Sequence, residues 1–234
     1  MRSWIPNSIT MGNLLMGCLA IVFSTSSTDD HYVLGMICVL IAGGLDFLDG
    51  LAARALGVSS ALGGQLDSLA DVVTFGVVPA LWAHSLLPQE AWFRFFPFLM
   101  AVGAAYRLAR FNLDTEAAAH FKGLPVPASA MIWVAAMGVH VQMVDQGGKG
   151  LSEAVILLLS LITTMLMVST MPLLNLKFKG LSWQGQEIKW ILLMACVFSF
   201  AIVMLMGKSS YMGILISIAV YLILSLFHYK KLSS

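Results

Sequence analysis

Apolar runs of bilayer-spanning length recur about eight times along this chain, at roughly 8–25, 32–49, 64–87, 91–113, 126–144, 152–172, 188–206 and 211–228. A spanning helix needs about 20 mostly apolar residues, so eight of them consume most of the 234 positions. Breaks between runs carry loop chemistry, as in Ser24 to Asp30, Leu87 to Glu90, Gln146 to Gly150 and Asn175 to Gly185. Strands of a membrane barrel alternate polar and apolar residues over about ten positions, whereas these runs are continuous. The expected fold is an all-α, polytopic transmembrane helical bundle of about eight spans in one membrane domain. Such a chain leaves no room for a separate water-soluble catalytic domain, so its chemistry belongs in or at the helices.

Charge is scarce and unevenly spread. Only 11% of residues are charged, against about 25% in a soluble domain. With the N-terminus on the cytoplasmic side, that side holds ten bases: Arg2, Arg54, Arg107, Arg110, Lys122, Lys177, Lys179, Lys189, Lys230 and Lys231. The other side keeps Arg94, Lys149 and Lys208. The asymmetry recurs at every second loop, which predicts an even number of spans and two cytoplasmic termini. Net charge is +1 and no basic domain stands out, so nucleic acid is not an expected partner.

Four of the twelve acidic residues, Asp46, Asp49, Asp67 and Asp71, fall inside or at the mouth of apolar segments. Each costs about 2.5–3.5 kcal/mol at a helix centre, so four cost on the order of 10–14 kcal/mol. Asp46 and Asp49 are three apart and Asp67 and Asp71 four apart, spacings that stack carboxylates on one helix face. Two helices joined by a turn around Leu56 to Ala61 bring all four together. Oxygen-only ligands suit Mg²⁺, Mn²⁺ or Ca²⁺, and four carboxylates match a two-metal site clamping a phosphoryl group. Gly50 and Gly63 permit close approach, and Arg54 is placed to hold a phosphate. Two other readings stand beside this one. The acids pair with arginines, although one nearby arginine leaves four acids unbalanced, or they line an intramembrane cation-transport or proton-relay path.

Read in full, Asp46-x2-Asp49-Gly50-x2-Ala53-Arg54-x8-Gly63-x3-Asp67-x3-Asp71 resembles the complete signature of the CDP-alcohol phosphatidyltransferases. All eight defined positions of that 26-residue pattern match. The resemblance implies a multi-pass cell-membrane enzyme, usually a homodimer, with its active site facing the cytoplasm. Its implied reaction moves phosphatidyl from CDP-diacylglycerol to an alcohol and releases CMP, with two divalent cations (Mg²⁺ or Mn²⁺, with Ca²⁺ as an alternative) as cofactors. The transport reading recedes accordingly.

Three further segments bear on the acceptor. They are Ile5-Pro6-Asn7-Ser8-Ile9-Thr10-Met11-Gly12-Asn13, Arg107-Leu108-Ala109-Arg110-Phe111-Asn112 and Gly123-Leu124-Pro125-Val126-Pro127-Ala128. Asn7, Thr10 and Asn13 lie about one turn apart and form a polar stripe, read either as helix–helix packing or as contacts to the cytidine or the acceptor. Arg107 and Arg110 share a helix face, either as positive-inside anchors or as an anion pocket. These segments are similar to the phosphatidylserine synthase branch of the family, which implies L-serine as acceptor. Glycerol 3-phosphate and inositol phosphate remain alternative acceptors, and both call for extra bases.

On this resemblance Asp46, Asp49 and Asp67 hold the metals with Asp71 at the edge of their shell. Asp71 is also the implied general base. Asn7, Thr10, Asp49, Gly50, Ala53, Arg54, Gly63 and Asp67 form the expected nucleotide and phosphate site. Asn13, Arg107, Arg110, Asn112 and Lys122 form the expected acceptor or lipid-phosphate site. Residues 1–145 are then the catalytic helices, and 146–234 additional scaffold or dimer helices.

Overall fold

Helix α1 (Trp4–Ser24) buries Pro6, Thr10, Asn13, Gly17, Ala20 and Ser24, three or four positions apart, while Trp4, Met11, Leu15 and Val22 face outward. Small and polar groups are inside and large apolar ones outside. That inverts a soluble helix and is what lipid as solvent demands. The computed structural model describes residues 4–25, 29–58, 60–113, 121–173, 194, 211 and 213–221. Within them α1 is followed by α2 (Asp29–Ala55), α3 (Ala61–Asp71), a π-helical segment (Val72–Val77), α4 (Val78–Ser85), a 3₁₀ segment (Trp92–Phe98) and α5 (Leu99–Leu113). Helices α6 (Val126–Asp145) and α7 (Glu153–Val168) come next, and 213–221 is again helical.

Four segments among the described residues are long and apolar enough to cross a membrane: Trp4–Ser24, Asp30–Ala55, Ala61–Ser85 and Val126–Asp145. They make this an all-helical membrane protein. Helix α7 is apolar but shorter. The expected run 91–113 is not one helix, because it opens as a 3₁₀ segment containing Pro97 before α5 begins. The run 188–206 lies almost wholly outside the described residues, as does part of 211–228.

The third span is continuous but widens just after Asp71. Pro79 has no amide hydrogen to return to the carbonyl of Phe75, and the Val78 amide donates to Val73 instead. Gly17 lets α1 settle onto this widened turn, since a Cβ there would stand 3.1 Å from Thr74 Cα. Beneath lies a core in which Phe75, Trp82, Met100, Trp133 and Met167 are fully enclosed. A short antiparallel pairing of Phe121–Lys122 (β1) with Pro172–Leu173 (β2) fastens the entry to α6 onto the exit from α7. Gly123 enables that turn: its φ is +74°, and a Cβ would lie 2.6 Å from the Met167 carbonyl oxygen.

Candidate active site

The acidic residues sit on a helical hairpin formed by α2 and α3. Its turn is closed by Val58 N–H donating to Ala53 O at 3.0 Å and by Gly57 at φ +63°. Ser60 caps α3, its hydroxyl accepting from the Gly63 amide at 3.0 Å. One carboxylate oxygen from each of Asp46, Asp49 and Asp67 lies within 4.8 Å of the others. Asp49 is buried and the other two are half-buried. Two ligands on one ion are at most twice the metal–oxygen distance apart, about 4.2 Å for Mg²⁺ and roughly 4.6–5.2 Å for Ca²⁺. The 4.8 Å limit falls inside the Ca²⁺ range and just above the Mg²⁺ one, so the three carboxylates are spaced to share a hard divalent cation, with a small inward shift for Mg²⁺.

Asp71 stands outside that three-oxygen group. It is buried at the end of α3, within electrostatic reach of Asp46, Asp67 and Asp49. Its hydrogen-bond partner is Asn13, whose Nδ2 donates to Asp71 Oδ1 at 3.4 Å.

Helix α1 meets the hairpin at three successive levels. Asn7 Oδ1 lies so close to Gly63 that a Cβ there would approach it to 2.9 Å. Thr10 Oγ1 donates to Asp49 Oδ2 at 2.5 Å. Asn13 reaches Asp71 one turn further on. The polar stripe thus faces the signature residues one by one.

The basic residues divide. Arg107 is buried on α5 and within electrostatic reach of Asp71 and of Tyr221. Arg110 is half-buried. Asn112 ties the end of α5 to α3, its Nδ2 donating to Ser68 Oγ at 2.9 Å. Arg54 is exposed and folds back over Gly50, where a Cβ would stand 3.4 Å from its Nη1. Ala53 is half-buried beside it. Lys122 contributes its backbone to the β1–β2 pairing, and its side chain lies outside the described residues.

Three participants escaped sequence reasoning. Thr74, fully buried in the π segment, donates from Oγ1 to the Asn13 carbonyl at 3.3 Å. Ser68 receives Asn112. Tyr221 approaches Arg107 from the stretch expected to be scaffold. Only the misplaced polarity of Thr74 beside Asp71 offered any signal.

An apolar helical bundle that concentrates carboxylates at one hairpin defines a membrane protein built to hold a divalent cation and the anions it neutralises. The CDP-alcohol phosphatidyltransferase family model matches residues 3–168, and the chain belongs to that family. It is similar to a CDP-diacylglycerol–serine O-phosphatidyltransferase of Bacillus subtilis, 35% identical over 140 residues, covering 56% of this chain and 74% of that one. The enzyme of the same name from Helicobacter pylori is 34% identical over 188 residues, 76% of this chain and 74% of the relative. An archaetidylserine synthase of Methanothermobacter thermautotrophicus is 34% identical over 131 residues, 54% of each chain.

Proposed function

We propose that this protein transfers the phosphatidyl group of CDP-diacylglycerol to the hydroxyl of L-serine, giving phosphatidylserine and CMP. The observation that carries the reading is the convergence of Asp46, Asp49 and Asp67 within 4.8 Å beside a separately bonded Asp71. Choice of acceptor is supported by relatives named for serine phosphatidyltransfer and for archaetidylserine synthesis, whose common headgroup is serine.

Asp46, Asp49 and Asp67 would hold two divalent cations (Mg²⁺, Mn²⁺ or Ca²⁺), with Asp71 at the margin of their shell. Bound there, the cations supply Lewis-acid neutralisation of the pyrophosphate and of the departing CMP. The chain's own residues do the rest. Asp71 takes the proton of the serine hydroxyl as its oxygen forms the new bond to the diacylglycerol-linked phosphorus. The P–O bond to CMP breaks, its electron pair leaving with the CMP oxygen. Arg54, beside the side-chain-free Gly50, is positioned to pair with a nucleotide phosphate, and Ala53 and Gly63 leave room for it. Asn7 and Thr10 flank the nucleotide end. Arg107, Arg110, Asn112, Asn13 and Lys122 surround the acceptor and lipid phosphate. We place the hairpin on the cytoplasmic face of the cell membrane, within about eight spans and a homodimer.

CMP release from CDP-diacylglycerol tests this directly, with serine, glycerol 3-phosphate, inositol and inositol phosphate offered in turn and divalent metal present or chelated. Release with serine and metal alone is expected. Release with another alcohol instead would overturn the acceptor. Metal flux across vesicles without any CMP release would overturn the enzyme reading.

A further inference from the structure

Asn13 is enclosed more completely than any other polar side chain that touches the carboxylates. It is 0% exposed. Each of its polar groups can be followed. Nδ2 donates to Asp71, and the main-chain carbonyl accepts from Thr74 as well as serving the helix. Side-chain Oδ1 is buried and meets no donor among the described residues.

That division is dictated by chemistry. An ionised carboxylate only accepts hydrogen bonds, so the amide must turn its NH₂ edge to Asp71 and its carbonyl edge away. A buried carbonyl left without a donor is costly, and a helix packing against its neighbours gains nothing from it. No described residue supplies that donor, and a ligand entering the site can.

We propose that Asn13 selects the acceptor by its amine, with Nδ2 positioning Asp71 and Oδ1 accepting an N–H bond from the acceptor's ammonium group. This deepens the serine phosphatidyltransferase reading and rests on it. A zwitterionic 2-amino alcohol carries its hydroxyl and its ammonium on neighbouring carbons. Asp71 and Asn13 are in contact through Nδ2 at 3.4 Å, and Oδ1 belongs to the same amide, so both acceptors are within the span of one small amino alcohol. Arg107, within electrostatic reach of Asp71 from α5, supplies the cation for the carboxylate. Phosphorylated polyols can offer Oδ1 only a neutral hydroxyl, a weaker donor than an ammonium, which disfavours them without any steric clash.

The test compares L-serine with 3-hydroxypropionate, which keeps the hydroxyl and carboxylate and lacks the amine. Wild-type protein should favour serine, and Asn13→Ala should cut the ratio of the two kcat/KM values by about 10–100-fold, the loss of one charge-assisted hydrogen bond. Asn13→Asp keeps an acceptor oxygen at nearly the same volume but removes the donor to Asp71. It should lower kcat for both acceptors while serine stays favoured at least as strongly as in the wild type, since a carboxylate accepts from an ammonium no less well than an amide carbonyl does. Equal losses on both acceptors in Asn13→Ala, or a collapsed ratio in Asn13→Asp, would overturn the proposal. A wild-type protein that releases no CMP with serine would instead overturn the reading beneath it.

Discussion

Thr10→Val isolates the contribution of α1 to the cation site. The Thr10 hydroxyl has one hydrogen and two acceptors in range, Asp49 Oδ2 at 2.5 Å and Pro6 O at 3.0 Å. The shorter contact is to a carboxylate, and a hydrogen bond to a charged group is worth about 1.5–3 kcal/mol. At 1.4 kcal/mol per factor of ten, that is roughly 10–150-fold in any equilibrium that depends on Asp49 being held. Valine matches threonine in shape, so the buried interface keeps its volume. Pro6 O loses only a secondary donor. The loss should therefore fall on cation binding, where removing an outer partner of a ligand typically costs about 10–100-fold in affinity. Mn²⁺ binding followed by electron paramagnetic resonance should weaken by that factor. Metal titration of CMP release should shift in parallel, with most of kcat recovered at saturating metal. Thr10→Ser, which retains the hydroxyl, should restore wild-type affinity. Unchanged Mn²⁺ affinity in Thr10→Val, with the thermal midpoint also unchanged, would refute the idea that α1 orients the carboxylates.

Other perturbations separate the remaining roles. Asp71→Asn should abolish turnover while CDP-diacylglycerol still binds, measured by retention of the labelled nucleotide lipid; residual turnover near wild type would remove Asp71 as the base. Arg110→Ala should raise the KM for serine or weaken lipid-substrate binding, and wild-type values for both would return this arginine to membrane anchoring. Gly17→Val forces atoms against the Thr74 backbone, so it should lower stability by about 1–3 kcal/mol, read as a lower thermal midpoint in detergent.

Spacing alone made the hairpin legible. Intervals of three and four residues place each carboxylate pair on one face whatever surrounds the helices, and the break at Leu56 to Ala61 is where the chain turns. What a third helix does to those carboxylates was not legible. Asn7, Thr10 and Asn13 read as a stripe, but which carboxylate each one meets depends on the angle and height at which α1 crosses the hairpin, and no local interval encodes that. The widened turn that follows Asp71 was hidden for a related reason. Pro79 is plain in the sequence, yet the wider π turn through Val72–Val77 changes the helical phase just beyond Asp71, and that adjustment is a response to packing. Likewise, nothing around Tyr221 marks it as falling within electrostatic reach of Arg107, because the two lie more than a hundred positions apart in the chain.

The acidic signature is accordingly not a self-contained unit. Four carboxylates on two helices in lipid carry an insertion cost on the order of 10–14 kcal/mol, and the hairpin brings only Arg54, which is exposed at its tip. Thr10 and Asn13 from α1 and Arg107 from α5 supply donors and charge from outside the motif. They act on Asp49 and Asp71, one on each helix of the pair. At about 1.5–3 kcal/mol for each hydrogen bond to a carboxylate, Thr10 and Asn13 offset only part of the insertion cost. The remainder falls to a cation at Asp46, Asp49 and Asp67, where three carboxylate oxygens lie within 4.8 Å of one another. Binding energy spent on closing that deficit is folding energy as much as catalytic energy. Chelation should therefore lower the thermal midpoint of the whole bundle, and Asp46→Asn or Asp67→Asn should reduce that metal-dependent shift. A thermal midpoint indifferent to divalent metal would mean that protein groups alone balance the carboxylates.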